Sequence, residues 1–254
     1  HSFPTRRSSD LMEIIATAYE TKLREILKEP RGDYPTTRAV TQRREAAGYD
    51  WQERHRELIR ANRKQKPHAV LIGNSITHYW GGTGGRYPEN GSRSWQRIMA
   101  PAGFRNMGCG WDRIENMLWR IYHDELDCGT IDRIVLMAGT NNVGRDTPAQ
   151  IAAGIARMVE AVRSRQPKAR IKVIGILPAA GQQERIAEIN DRIEQEIGNQ
   201  GIACFQDVGI YLLDPRTGRL DDRLFMDGLH PNERGYRKIA RAIAEITVPE
   251  ANTP

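Results

Sequence analysis

The sequence predicts an α/β fold in which a five-stranded parallel sheet is covered by helices on both of its sides. Three observations carry that expectation. From residue 68 onward, short apolar runs alternate with longer amphipathic segments, the order of strand and helix in turn. Three of those runs are rich in Val and Ile, as strands buried on both faces should be. With 254 residues, 39% of them hydrophobic, the chain is long enough to enclose one full core.

The strands are expected at 69–72, 104–107, 134–138, 171–177 and 202–205, each a short apolar run. Helical spacing between and after them predicts helices at about 92–99, 112–126, 147–165, 182–198 and 231–246. Ahead of this alternation, 12–28 reads as a helix with Ile14, Ile15, Ala18 and Leu23 at helical spacing. Residues 30–35, with Gly32 and Asp33, break it, and an Arg- and Glu-rich helix follows at about 51–64. Residues 12–66 are therefore expected to be an N-terminal helical extension and 67–254 the main domain. Residues 1–11 resemble the translated read-through of a DNA-sequencing adapter and are expected to be disordered and outside the fold. On that reading the natural N-terminus is missing, and a signal peptide upstream is left open.

Charge and cysteine content narrow the function classes. The formal net charge is +6, but Lys and Arg are interspersed with Asp and Glu along helical segments. A nucleic-acid binder would gather its cations into one stripe beside stacking aromatics, so none is expected here. No apolar run approaches the roughly 20 residues that cross a bilayer, and the chain reads as soluble. Cys109, Cys128 and Cys204 are odd in number and form no C-x-x-C, which indicates neither a disulfide framework nor a zinc site. A single disulfide, the compartment and the oligomeric state stay open.

In open parallel sheets ligands sit beyond the carboxyl ends of the strands, so the residues that follow each strand carry the functional information. They read Gly73-Asn74-Ser75, then Gly108-Cys109-Gly110, then Gly139-Thr140-Asn141-Asn142. The fifth strand is followed by a longer segment ending in Asp227-Gly228-Leu229-His230-Pro231. In the common 2-1-3-4-5 strand order the first three of these turns share one edge. A serine hydroxyl becomes a nucleophile when a base removes its proton, and the resulting tetrahedral oxyanion needs fixed donors. Ser75 is the candidate nucleophile, His230 the base and Asp227 the carboxylate that orients it. The Ser75 and Gly108 backbone N–H groups and the Asn141 amide are the candidate oxyanion donors. Pro231 restricts His230 to extended backbone and starts the last helix.

These four blocks, in this order, resemble the Ser, Gly, Asn and His blocks of the SGNH (GDSL-like) hydrolase family. The stretches Asn106–Asp112 and Asn116–Arg120 resemble most the branch that holds platelet-activating-factor acetylhydrolase catalytic subunits and carbohydrate acetylesterases. The resemblance covers about residues 68–246. It implies a flavodoxin-like three-layer α/β/α sandwich, a metal-free acyl-enzyme mechanism without cofactor, and ester substrates, often acetyl esters. The sequence departs from the family in having Asn74 where Asp is usual, and Asn142 where Asp is commoner.

Several residues have two readings. Asn74 and Asn142 flank the catalytic turns and are candidate substrate contacts. Trp80 and Trp111 either stack on a sugar ring or pack partly into the core. His78, Tyr79, Trp80 and the run Gly81–Gly85 are expected to form a mobile rim. Cys109 reads as a small buried hydrophobe, His55 and His123 as structural or surface residues, and Trp119 as core. The expected partner is a small-molecule or oligosaccharide ester, with short acyl groups preferred because no long apolar lid follows Ser75. A lipid-directed acylhydrolase or thioesterase is the alternative in the same class, and a non-catalytic carbohydrate-binding module the alternative outside it.

Overall fold

Each of the five apolar runs is a strand: β1 (Ala69–Gly73), β2 (Phe104–Gly108), β3 (Arg133–Met137), β4 (Arg170–Ile174) and β5 (Cys204–Gln206). The structure is a computed structural model and describes residues 34–42 and 49–245. The strands pair in the order β2-β1-β3-β4-β5, all parallel. All five residues of β1 are buried, because the strand is covered on both faces. Gly73 is in register with Gly108 on one side and with Met137 on the other. Strands β1, β2 and β3 therefore end level, and the three turns that follow them open at one edge.

Among the described residues, seven α-helical segments cover the sheet: α1 (Trp51–Lys64), α2 (Ser75–His78), α3 (Ser92–Ser94, continuing as a π turn at Trp95–Met99), α4 (Ile114–Tyr122), α5 (Pro148–Arg165), α6 (Gln183–Gln200) and α7 (Glu233–Ala244). Alternate residues of β1 point to opposite layers. Val70 and Ile72 pack with residues of α1, α4, α5 and α6, whereas Leu71 packs with Trp95, Met99 and the α7 residues Tyr236, Ile239 and Ile243. The result is the three-layer α/β/α sandwich.

The boundaries differ from expectation where a side chain takes over the backbone. Strand β4 stops at Ile174, three residues early, because Asn190 of α6 replaces a neighbouring strand. Its Oδ1 accepts the Ile176 N–H at 2.8 Å and its Nδ2 donates to the Ile176 carbonyl at 3.0 Å. Helix α4 starts at Ile114, where the Asn116 side chain accepts the Arg113 N–H. It ends at Tyr122, and Asp124 turns the chain with a φ of 69°.

Helix α1, expected as part of a separate extension, is built into the same body: its Trp51 and Leu58 are fully enclosed in the core. Tyr34–Gln42 runs across α4 and α5, with the Val40 N–H donated to the Glu115 carbonyl at 3.0 Å. The helix expected at 12–28 and residues 1–11 lie outside the described residues. Among the described residues no helix is long and apolar enough to cross a membrane.

The last helix begins on Asn232, whose Oδ1 accepts the N–H groups of Arg234 and Gly235. Its Nδ2 donates to the carbonyls of Arg223 and Phe225. Asn232→Ala is expected to lower stability by about 1–2 kcal/mol, read as a shift of the urea midpoint with unchanged slope. An unmoved midpoint would show that the cap contributes nothing.

Candidate active site

The turn after β1 places Ser75 at the first position of α2. Asn74 caps that helix, its Oδ1 accepting the Ile76 N–H at 2.9 Å. A carboxylate could accept the same bond, so Asn74 fills the capping role despite the departure from Asp. The Ser75 N–H is the first of the helix and has no acceptor within it.

His230 arrives from the other end of the chain. Its Nε2 lies 2.9 Å from Ser75 Oγ, and its Nδ1 lies 2.7 Å from Asp227 Oδ2. With Nδ1–H directed at the carboxylate, Nε2 keeps a lone pair that faces the Ser75 hydroxyl. The loop that carries the pair is closed on itself. Asp227 Oδ1 accepts the N–H groups of Leu229 and His230, at 3.0 and 2.7 Å. The Met226 N–H donates to the His230 carbonyl at 2.8 Å. Gly228 turns the loop with a φ of 76°, a conformation that side-chain-bearing residues rarely adopt, and its carbonyl accepts the Ala180 N–H. Partial burial pulls the Asp227 carboxyl upward, but the hydrogen bonds from His230 and Leu229 outweigh it and hold the group below its ordinary value.

Of the three expected oxyanion donors, Ser75 and Asn141 stand at the open edge, both half-buried. The Asn141 Nδ2 donates one bond, to the Asp112 carbonyl at 2.8 Å, and its amide carries a second hydrogen. Gly108 is corrected. Its N–H is donated to Asn106 Oδ1 at 2.8 Å, and a Cβ there would overlap the backbone of Thr77 and His78. The glycine is required for close packing of β2 against α2, and its amide is already engaged.

Three expected substrate contacts are also corrected. Trp80 is fully buried, stacked on Tyr236 with ring centres 4.8 Å apart, and its indole N–H is donated to Ser94. Asn74 is buried beneath the nucleophile turn. Asn142 is fully enclosed, with Oδ1 accepting the Ile114 N–H and Nδ2 donating to Glu115 and Asp146. Trp111, 48% exposed, remains at the surface beside the site, with a left-handed φ of 64°. Tyr79, half-buried, has its ring 5.7 Å from that of His230.

The three cysteines are free thiols, and burial pushes Cys109 up to about 12, a small apolar residue and no nucleophile. Trp119 is half-buried at the edge of the core, between Trp51 and His123. The glycine-rich rim is tethered: Thr83 donates to Glu89, and Arg86 and Tyr87 both reach Glu57 of α1.

Sequence reasoning missed the residues that hold these turns from behind. Asn106 donates to the carbonyls of Thr77 and Gly81 while accepting from Gly108. His78, driven down to about 2 by burial and nearby arginines, is neutral and accepts the Gly110 N–H on Nδ1. Asp112 and Arg120 form an ion pair at 2.7 Å with no exposure on either side chain. The one signal available was that polar residues recur within stretches that are otherwise apolar or glycine-rich.

A parallel five-stranded sandwich with a serine, a histidine and a carboxylate at its carboxyl edge defines a class of ester hydrolases. The chain belongs to the GDSL-like lipase/acylhydrolase family, whose pattern matches residues 71–238, and it is an acylhydrolase of that type. Among curated proteins it is similar to platelet-activating factor acetylhydrolase IB subunit alpha1 of Homo sapiens. The two are 27% identical over 204 residues, covering 77% of this chain and 82% of that protein. The alpha2 subunit of Bos taurus is 25% identical over 202 residues, with the same coverage. Among solved structures, a protein from Streptococcus pneumoniae described as a putative platelet activating factor matches with a TM-score of 0.64 at 21% identity, covering 89% of this chain and 96% of that one. An acetylxylan esterase from Geobacillus stearothermophilus matches with a TM-score of 0.55 at 17% identity, covering 70% and 92%. These two structural matches bear on the fold alone.

Because the Asp227 carboxyl is held below its ordinary value, its ionised form is present at and above that value, near pH 4, and is lost only as the pH falls through the lowered one. Between roughly pH 5 and 8 the carboxylate stays charged, so an acid limb in that window does not come from Asp227. Asp227→Asn replaces the acceptor on Nδ1–H with an amide. It is expected to lower kcat by roughly 10²–10⁴ in steady-state assays on p-nitrophenyl acetate. Near-native kcat in this variant would remove Asp227 from the chemistry.

Proposed function

We propose that this protein is a serine esterase that removes short acyl groups, acetyl above all, from carbohydrate alcohols. The observation that carries the reading is the relay Ser75 Oγ–His230 Nε2–Asp227, with contacts of 2.9 and 2.7 Å. Ser75 Oγ adds to the ester carbonyl carbon as His230 Nε2 takes its proton. The negative oxygen is stabilised by the Ser75 N–H and the Asn141 amide. Collapse of the tetrahedral intermediate breaks the bond to the alcohol, which leaves with the proton from the imidazolium. Water, deprotonated by His230, then attacks the acyl-serine, and the carboxylic acid departs as Ser75 recovers its proton.

Three features support the substrate class. Trp111 and Tyr79 present aromatic surface next to polar turns, which suits a sugar with its apolar face and hydroxyl rim. The segment after Ser75 is glycine-rich and tethered by polar bonds to Glu89 and Glu57, not a long apolar stretch, which favours a short acyl group over a long one whose methylenes gain ~0.8 kcal/mol each only when buried. The similar curated proteins are named acetylhydrolase subunits, which points to the acetyl group. An acetylated lipid is the second reading, favoured by Met226, 63% exposed and adjacent to Asp227.

Two measurements test this. A serine-directed organophosphate is expected to add to Ser75 and abolish turnover; peptide mapping that finds the adduct elsewhere removes the nucleophile assignment. Across p-nitrophenyl esters from acetyl to octanoyl, kcat/KM is expected to fall, and acetylated xylo-oligosaccharides are expected to outperform an acetyl phospholipid. A steady rise with chain length would overturn the short-acyl reading, and preference for the phospholipid would replace the sugar with a lipid.

A further inference from the structure

Behind the catalytic edge lies a cluster of buried charges that the reaction itself does not use. Arg120 is fully enclosed. Its Nε and one terminal nitrogen hold the two oxygens of Glu125, at 2.8 and 2.7 Å. The other terminal nitrogen holds Asp112 Oδ2 at 2.7 Å, and the Met107 carbonyl accepts a further bond. Asp112 Oδ1 accepts two more, from the Trp51 indole N–H at 2.6 Å and from Gln42 Nε2 at 2.8 Å. His55 of α1 closes the group through Nδ1, 2.8 Å from Glu125. Burial pushes the Asp112 carboxyl up to about 6, against the pull of Arg120. A carboxylate enclosed this completely is retained only while its partners are in place, so they determine where Asp112 sits.

The main chain of the same residue faces the site. The Asp112 carbonyl accepts the Asn141 Nδ2 hydrogen bond at 2.8 Å. An amide that donates one hydrogen to a fixed carbonyl has its plane set, and the direction of its second hydrogen with it. Oxyanion donors act through being fixed before the reaction begins, and small displacements are expensive in rate.

We propose that Asp112 is a positioning residue of the oxyanion site: its buried carboxylate, gripped by Arg120, Trp51 and Gln42, holds the carbonyl that aims the Asn141 amide. Helix α1 and the segment before it are thereby part of the catalytic apparatus, although they touch no reacting atom. This inference rests on the reading of Asn141 as an oxyanion donor.

The test is a double-mutant cycle on the full chain with p-nitrophenyl acetate, supported by urea unfolding. Trp51→Phe keeps an aromatic ring in the core and removes one donor to Asp112; Gln42→Leu removes the other and serves if the first variant fails to fold. Each is expected to lower kcat roughly five- to twentyfold, with KM within twofold, because only the transition state uses the aimed amide. In an Asn141→Ala background the same substitutions are expected to change kcat by less than twofold, since the group they aim is gone. Equal losses in both backgrounds, or no loss in the native one, would overturn the positioning role while leaving Asn141 as a donor. Near-native kcat in Asn141→Ala alone would instead remove the oxyanion reading, and the inference with it.

Discussion

A hydrogen bond between residues 155 positions apart, Ser75 and His230, is the constraint around which the rest of the domain is arranged. A serine at the end of β1 and a histidine just before α7 meet only if the sheet, the helices on one face and the final loop are all in place. The structure ties these parts at several points besides the bond itself. Tyr236 of α7, fully buried, donates its hydroxyl to the Ile76 carbonyl of the nucleophile helix at 2.6 Å. Glu233, in the first turn of α7, accepts the N–H groups of Arg93 and Ser94. The last helix is thus clamped to the layer that follows Ser75, and the loop bearing His230 has little freedom at its C-terminal end. Close placement of this kind is what turns a poor nucleophile into an effective one.

The electrostatics divide into a wet front and a dry back. At the front, Asp227 is exposed and its carboxylate is stabilised by short hydrogen bonds within its own turn. At the back, Asp112, Arg120 and Glu125 have almost no exposure. A buried triad of this kind does little for net stability compared with apolar residues of equal size, yet removal of one member leaves a charge stranded at a cost of about 3–5 kcal/mol. Its value lies in geometry, because charged partners at 2.7 Å in a dry interior permit few alternative arrangements. The Trp51 and Gln42 bonds extend that rigidity to α1 and to the segment that crosses α4 and α5.

How much was legible in the sequence follows from the range of the interactions concerned. Asp227 and His230 pair over three residues, so their spacing was visible in the chain, as was the helix that Pro231 and Asn232 start. Asn141 was legible as a turn residue at a strand end. Gly108 was legible as a glycine that something must approach closely, but the approaching group is the backbone of α2 and not an oxyanion. Trp80 and Asn142 lie within a few residues of Ser75 and Asn141, but proximity in sequence did not reveal that both point inward.

By itself the sequence determined the order of strands and helices, the sheet's parallel character, and the short motifs that carry Ser75, Asp227 and His230. Each of these depends on local periodicity or on a short motif, and both are properties of neighbouring residues. Only the tertiary structure decided which polar residues are buried and what they hold. Asp112 meets Trp51 across 61 positions and Gln42 across 70, and no pattern in the chain connects them. The start of α1 and the segment ending at Gln42 both reach the turn before α4, which brings these groups together, and a low-dielectric interior then makes each of their hydrogen bonds obligatory.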